Sequence, residues 1–417
     1  MNNSSNAREA ALKILHKMQE GAYINTAVKE GLPRNMKKED KSLASLLVYG
    51  VTSNKTRLDY DISKFSKIPI RKISHWIMDI LRMGFYQLFF LDKIPACAAV
   101  NESVKLAKRY GHSASAGFVN GVLRRAAKEG EPKLPDDLSV IYSHPGWIVD
   151  MWTKDYGVET AKKILKVNNI PPVCYVRANT LKISSEELSR RVGGRSIDDL
   201  FVRVESLAGV EYSEEYRQGL LTLQGLSSAQ AVKALAPQKG QLVLDLCAAP
   251  GGKSTLAAQL MENEGEIIAC DIYEHRLDLI EKNARRMGIN IIKTRLHNAL
   301  EPMPEYVKKA DRVLADVPCS GLGVIRKKPD IRWDKKPEDI DALCQVQNGI
   351  LHTAAQYVKP GGILVYSTCT ICEKENSIMV KTFLDNHKSF DLISQRQYFP
   401  FEEGCDGFYI GVLLCRE

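Results

Sequence analysis

The chain is expected to be an all-α bundle, followed by a small α+β subdomain and a doubly covered, mostly parallel α/β domain. Three observations predict this. Residues 1–130 repeat apolar side chains at helical spacing. From Ser227 onward, strand-like and helix-like runs alternate. Between them lies a stretch of short strands and one capped helix. At 417 residues, with 44% apolar and 26% charged, the composition is that of an ordinary globular protein of two or three domains. No apolar run is long enough to cross a membrane, and MNNSSNAREA has no export signature, so a cytoplasmic protein with reduced thiols is expected.

In the front, NAREAALKILHKMQEG puts Ala10, Ala11, Ile14, Leu15 and Met18 on one stripe and stops at Gly21. Two further runs, KSLASLLVYGVTSNKTRLDYDISKF and SHWIMDILRMGFYQLFFL, keep the 3.6 period. IPACAAVNESVKLAKRYG has Pro95 in its first turn and Gly111 at its end. The next run, SASAGFVNGVLRRAAKEG, carries Arg124 and Arg125 late in a helix. Residues 1–130 hold 22 basic and 11 acidic side chains, whereas the remainder holds 36 and 39. A basic front on a near-neutral rear points to a polyanionic partner, with Lys105, Lys108, Arg109, Arg124 and Arg125 as candidates. The competing reading is a merely solvated set of helix faces.

Residues 131–146, rich in Pro and Asp, read as a linker, and 147–225 as the small α+β subdomain. There Ser184 or Ser185 caps a helix, with Glu187 placed for a capping box. The α/β domain is expected over 226–417. Its first strand runs into DLCAAPGGKST. A phosphate-binding P-loop would need glycine where Cys247 stands, and a dinucleotide turn would need the spaced glycines that Pro250 and its neighbours lack. A nucleoside without a pyrophosphate fits better, which points to S-adenosylmethionine. Cys247, Ala248, Ala249, Pro250, Gly251, Gly252 and Lys253 would form its turn. Asp271, ending the second strand, would take the ribose hydroxyls.

Strand ends on the same edge supply Asn298, Asp316 with Cys319, and Cys369. Two thiols beside a methyl donor suit methylation of a carbon that is not nucleophilic by itself, such as C5 of a pyrimidine. A thiolate adding at C6 activates C5 and is expelled afterwards. On residue chemistry alone either thiol could attack. Cys369 and Cys372 form a lone C-x-x-C without a second pair at zinc spacing, so no metal is expected.

DLCAAPGGK (245–253), DVPCS (316–320) and STCT (367–370), in that order, resemble the RNA 5-methylcytosine methyltransferases of the NOL1/NOP2/Sun family. RANTLK (177–182), LSSAQAV (226–232) and DGFYI (406–410) match its flanking motifs, and the front resembles the NusB RNA-binding fold. The resemblance implies a Rossmann-like S-adenosylmethionine-dependent domain. It implies Cys369 as nucleophile, Cys319 in release, and Asp316 against the cytosine or the methyl-donor end of the cofactor. Where the family commonly has Asp near the adenine amine, this chain has Asn298. An Asn can still accept from that amine and donate to the ring. It further implies action on 16S ribosomal RNA or an assembling small-subunit particle, and a monomer is expected. Transfer RNA, 23S RNA and a non-catalytic assembly role remain as alternatives.

Overall fold

A computed structural model describes residues 7–416 and divides the chain into two compact units. One comprises residues up to Ile170 together with Ile325–Asp334; the other comprises Pro171–Val324 and the chain from Lys335 onward.

The first unit is helical. It contains α1 (Ala7–Gln19), α2 (Ile24–Gly31), α3 (Lys38–Ser53), α4 (Lys55–Phe65), α5 (His75–Phe90), α6 (Ala96–Tyr110) and α7 (Ser113–Glu129). The expected stripe on α1 is largely buried, from Ala7 through Leu15, and Met18 packs at its margin. Helix α5 is apolar on most sides and lies among α1, α3, α6 and α7 as the bundle's centre. Gly50 on α3 lets Tyr86 of α5 approach, since a Cβ there would sit 2.0 Å from its ring.

Residues 131–146 are not a free linker. Tyr60 donates to the Lys133 carbonyl at 2.9 Å, Arg57 pairs with Glu131, and the Ser143 hydroxyl accepts from the Thr56 amide at 3.0 Å. These contacts tie the stretch to α4, and it includes the short α8 (Leu138–Ile141). Helices α9 (Gly146–Tyr156) and α10 (Val158–Val167) also fall in this compact unit. The segment Ile325–Asp334, expected within the α/β domain, belongs here as well. Arg332 is fully buried and donates to the carbonyls of Ser53 (3.2 Å) and Ser143 (3.0 Å) and to Asn169 Oδ1 (2.8 Å). Trp333 donates to the Thr52 carbonyl at 2.7 Å.

The second unit opens with a four-stranded antiparallel sheet of order β2-β3-β1-β4: β1 (Cys174–Ala178), β2 (Arg195–Ser196), β3 (Phe201–Val204) and β4 (Leu221–Thr222). Helix α11 (Ser185–Val192) is capped by Ser184, whose hydroxyl accepts from the Glu187 amide, and α12 (Glu214–Arg217) precedes β4.

After α13 (Leu226–Leu235) comes the large sheet. Its strands are β5 (Leu242–Asp245), β6 (Glu266–Asp271), β7 (Ile292–Leu296), β8 (Ala310–Asp316), β9 (Val358–Thr368), β10 (Phe390–Tyr398) and β11 (Phe408–Cys415), in the order β10-β11-β9-β8-β5-β6-β7. Strands β5 to β9 pair in parallel, whereas β11 pairs antiparallel to both β9 and β10. Helices α14 (Gly252–Leu260), α15 (Glu274–Met287), α17 (Pro337–Tyr357) and α18 (Ser377–Asn386) complete this unit, while the short α16 (Ile331–Asp334) falls in the first. The apolar clusters on the large sheet include Val243, Ile267 and Val365 in one and Leu244, Val313 and Leu364 in another, neighbours along each strand that point to opposite faces. Helix α18 and the antiparallel pair β10–β11 follow the alternating parallel part of the sheet. Among the described residues no helix is long and apolar enough to cross a membrane.

Candidate active site

Strand β5 lies between β6 and β8, so the turn after it opens between the ends of both neighbours. Past Asp245, the Leu246 amide donates to the Leu314 carbonyl at 3.0 Å and the Ala248 amide to the Cys270 carbonyl at 2.8 Å, stitching the turn to β8 and β6. Gly251 takes φ +96° as α14 begins, and a Cβ there would also sit 3.2 Å from Ile280. Asp245 is buried; its Oδ2 accepts from Ser254 Oγ at 2.7 Å, while Oδ1 has no hydrogen-bond partner among the described residues. Burial raises its pKa to about 6 against the opposing pull of Ser254 and Lys253. Cys247 is held well above the usual thiol range, chiefly by burial, which makes it part of the turn's wall rather than a nucleophile.

Arg177, known from sequence only as part of RANTLK, buttresses this turn. It is fully buried, donates to the Gly252 carbonyl at 2.7 Å and Thr255 Oγ1 at 2.9 Å, and bonds Gln224. Asn179 of the same motif donates to the carbonyls of Gly219 and Met287 at 2.8 Å each, so β1 and its turn lock onto the α15 end.

At the next strand end, Asp271 Oδ1 accepts from the Tyr273 amide at 3.1 Å, and the His297 amide donates to the Asp271 carbonyl at 3.0 Å. That bond brings Asn298 to the same edge. Its carboxamide is engaged locally: Oδ1 accepts from the Leu300 amide and Nδ2 donates to Glu301, both at 3.2 Å. Four large apolar side chains are exposed beside these strand ends: Ile272, Tyr273, Leu296 and Leu300. A buried acid end, a glycine turn at a helix N-terminus, an orphaned buried acceptor and an uncovered apolar ledge fit an adenosyl ligand. Sequence reasoning missed the ledge, because isolated apolar residues after strands carry no period.

Strands β8 and β9 are adjacent, with Asp316 opposite Ser367. Ser367 Oγ donates to Asp316 Oδ1 at 2.8 Å, and Lys253 Nζ donates to Oδ2 at 2.6 Å. The three separate sequence motifs therefore meet on one carboxylate. Burial pulls the Lys253 pKa down, but the charge and hydrogen bond of Asp316 outweigh it and leave it raised. Lys253 also lies over the Phe408 ring of DGFYI, and the Asp406 amide donates to Ser227 Oγ of LSSAQAV at 2.8 Å.

The two thiols stand together. Cys319 Sγ is 3.3 Å from Cys369 Sγ, and the Cys369 amide donates to Cys319 Sγ at 3.3 Å. The hydrogen bond with Cys369, followed by burial, holds the Cys319 thiol well above its usual range. Behind them is a polar frame that sequence did not announce. Glu375 sits in a charged run that reads as solvated, yet it is fully buried. The Gly323 amide donates to the Cys369 carbonyl at 3.0 Å and the Gly407 amide to the Gly323 carbonyl at 2.8 Å.

Lys105, Lys108, Arg109, Arg124 and Arg125 are all exposed on α6 and α7. Lys105 pairs with Glu102 (2.6 Å), Arg109 with Glu9 (2.7 Å) and Arg125 with Glu129 (2.8 Å).

A seven-stranded sheet with this order, a glycine turn after its first parallel strand and an acid after its second define a Rossmann-like, S-adenosylmethionine-dependent methyltransferase. Known proteins narrow the class. The profile of the family described as 16S rRNA methyltransferase RsmB/F matches residues 232–414, that of the NusB family matches 5–128, and the RsmF/B-like ferredoxin-like domain matches 144–198. The probable ribosomal RNA small subunit methyltransferase B of Bacillus subtilis is 36% identical over 97% of this chain and 98% of its own. The crystal structure of PH0851 superposes with a TM-score of 0.81 at 25% identity, covering 97% of each chain. That of NSun6 from Pyrococcus horikoshii with SFG gives 0.60 at 24% identity over 66% of this chain and 98% of that one, a likeness of fold. The chain belongs to the ribosomal RNA small subunit methyltransferase B family.

Proposed function

We propose that the chain methylates C5 of a cytosine in 16S ribosomal RNA, the one at position 967, through a covalent bond between Cys369 and C6 of the base. The observation that carries this is the pair of thiols 3.3 Å apart beside Asp316, on adjacent strand ends. Cys369 as thiolate adds to C6, and C5 gains enamine character. Residues 247–253, Asp271 and Asn298 would hold S-adenosylmethionine, which would supply an electrophilic methyl group to C5, the methyl–sulfur pair staying on sulfur as S-adenosylhomocysteine leaves. Lys253 and Asp316 orient the base and the methyl-donor end. A base at the site takes the C5 proton, the C5–H pair closes the C5–C6 double bond, and the C6–Sγ bond returns its electron pair to Cys369. Cys319 assists this step.

The helical front holds RNA backbone phosphates, and an unstacked loop base is presented for chemistry. The substrate is the RNA alone or an assembling small-subunit particle, and the protein works as a cytoplasmic monomer. The test incubates wild type, Cys319→Ala and Cys369→Ala with S-adenosylmethionine and 16S RNA, followed by a denaturing gel and mapping of 5-methylcytosine. An adduct that survives denaturation from Cys319→Ala alone supports the assignment. Trapping by Cys369→Ala alone exchanges the two roles, and no adduct with methylation intact overturns the covalent route.

A further inference from the structure

Outside the reacting groups, one buried side chain is tied to both flanks of Cys319. Glu375 Oε1 accepts from the Ser320 amide at 2.8 Å and from Gln347 Nε2 at 2.9 Å, and Oε2 accepts from Ser320 Oγ at 2.5 Å. Gln347, also fully buried, donates to the Pro318 carbonyl at 3.0 Å as well. Residues 318 and 320 are thus fixed to one carboxylate, directly and through one amide. The backbone that carries this carboxylate is held too: the Glu375 carbonyl accepts from Tyr366 on β9 at 2.7 Å and its amide donates to the Cys372 carbonyl at 3.1 Å. Ser320 Oγ also meets Thr370 Oγ1 at 2.7 Å, so the frame reaches the strand end that carries Cys369.

A fold does not need this much at a loop of three residues. All three bonds to the carboxylate come from neutral donors, so the usual reason to bury an acid, a cation to pair with, is not what holds it. What the arrangement fixes is the position of the thiol between the two anchored residues. We propose that Glu375 is a positioning residue for release: it holds Pro318–Ser320 so that Cys319 stays against Cys369 at the reacting base. This rests on the reading above, in which Cys369 attacks and Cys319 assists release. Loosening the frame leaves attack and methyl transfer in place and slows detachment, so the methylated RNA stays on the enzyme.

The test compares Glu375→Gln, Gln347→Leu and Cys319→Ala with wild type, using 16S RNA and S-adenosylmethionine. Three readouts are followed: adduct on a denaturing gel, methyl transfer in a single turnover, and steady-state kcat. Glu375→Gln keeps an oxygen for the Ser320 amide and turns an NH2 toward its hydroxyl, so it disturbs the frame without emptying it. It is expected to accumulate adduct to a level between wild type and Cys319→Ala, with kcat down about 100-fold, as for a misplaced reacting group. Single-turnover methylation should stay within a few-fold of wild type. Gln347→Leu, which frees the Pro318 carbonyl, should do the same. Wild-type turnover without adduct in both variants, while Cys319→Ala traps RNA, overturns the role of Glu375. Equal loss of single-turnover methylation and turnover, without adduct, marks a merely structural residue and overturns it too. No adduct from Cys319→Ala itself overturns the parent reading along with this one.

Discussion

The thiol pair and the basic front both rest on polar side chains, but the two regions are built in opposite ways. Around the thiols, Ser320, Gln347 and Glu375 bind one another in the interior, and Ser367 binds the half-buried Asp316, all from distant parts of the chain. On the front, the cations lie along a helix hairpin in water, and three of five already have an acid within 3 Å. From the start of α7 to Arg124 is about 16 Å at the rise of an α-helix. Covalent chemistry needs two atoms fixed within a few tenths of an ångström, whereas a phosphate backbone is held by fields that extend over a Debye length of about 8 Å. The first region should therefore fail all at once when one atom is removed, and the second by small steps.

The sharpest break is Cys369→Ala. It should lower methylation of 16S RNA by about 10⁴-fold or more, as loss of a nucleophile does, and, added to Cys319→Ala, should abolish the denaturation-resistant adduct that Cys319→Ala traps. Binding of the RNA, read by filter retention, should change by less than about three-fold, because affinity comes from backbone phosphates. A large loss of affinity would mean that the thiol end contributes to holding as well as to chemistry, and the contrast between the regions would weaken.

Asp245 provides a break of intermediate size. Its folded pKa of about 6 lies above its ordinary value near 3.8. The folded state therefore binds a proton that the unfolded chain has lost, and stability falls as pH rises from about 3.8 to 6, then levels off. The shift corresponds to about 3 kcal/mol at neutral pH. Asp245→Asn keeps an acceptor for Ser254 and removes the ionisation, so at pH 7.5 it should raise the unfolding free energy of the cofactor-free protein by up to that amount. The gain should shrink toward pH 4. A pH-independent difference between the two proteins would show that Asp245 does not titrate in that window.

The helical front was legible because its periods, and stop signals such as Gly21 and Gly111, are local. The strand ends were legible because a parallel sheet puts them on one edge, which is why Asp245, Asp271, Asp316 and Cys369 could be named in advance. What escaped was set by tertiary contact. Glu375 looks like a solvated acid until α17 and the Cys319 loop close over it. Arg332 stands in the basic run RKKPDIRWDKK, yet its guanidinium is buried among the carbonyls of Ser53, Ser143 and Asn168. Strands β10 and β11 were missed for a different reason: Phe408–Cys415 is buried nearly throughout and β10 is mostly exposed, so neither shows alternation.

The smallest effects test whether an ion pair already made reduces a cation's worth to RNA. Lys108 and Arg124 are exposed without an acidic partner among the described residues, whereas Lys105 is paired with Glu102 and Arg125 with Glu129, each within one helical turn. A free cation that meets a phosphate releases about one counterion, so Lys108→Gln and Arg124→Gln should each flatten the slope of log affinity against log salt by about 0.9. A paired cation must first give up its carboxylate, and the exchange of one acid for another returns little. Lys105→Gln and Arg125→Gln should therefore leave the slope nearly unchanged, with affinity within about three-fold of wild type. Salt titrations of binding to a 16S RNA fragment decide it. Equal flattening by all four variants would mean that the pairs dissolve when RNA arrives, and no flattening by any would move the phosphate contacts off this hairpin.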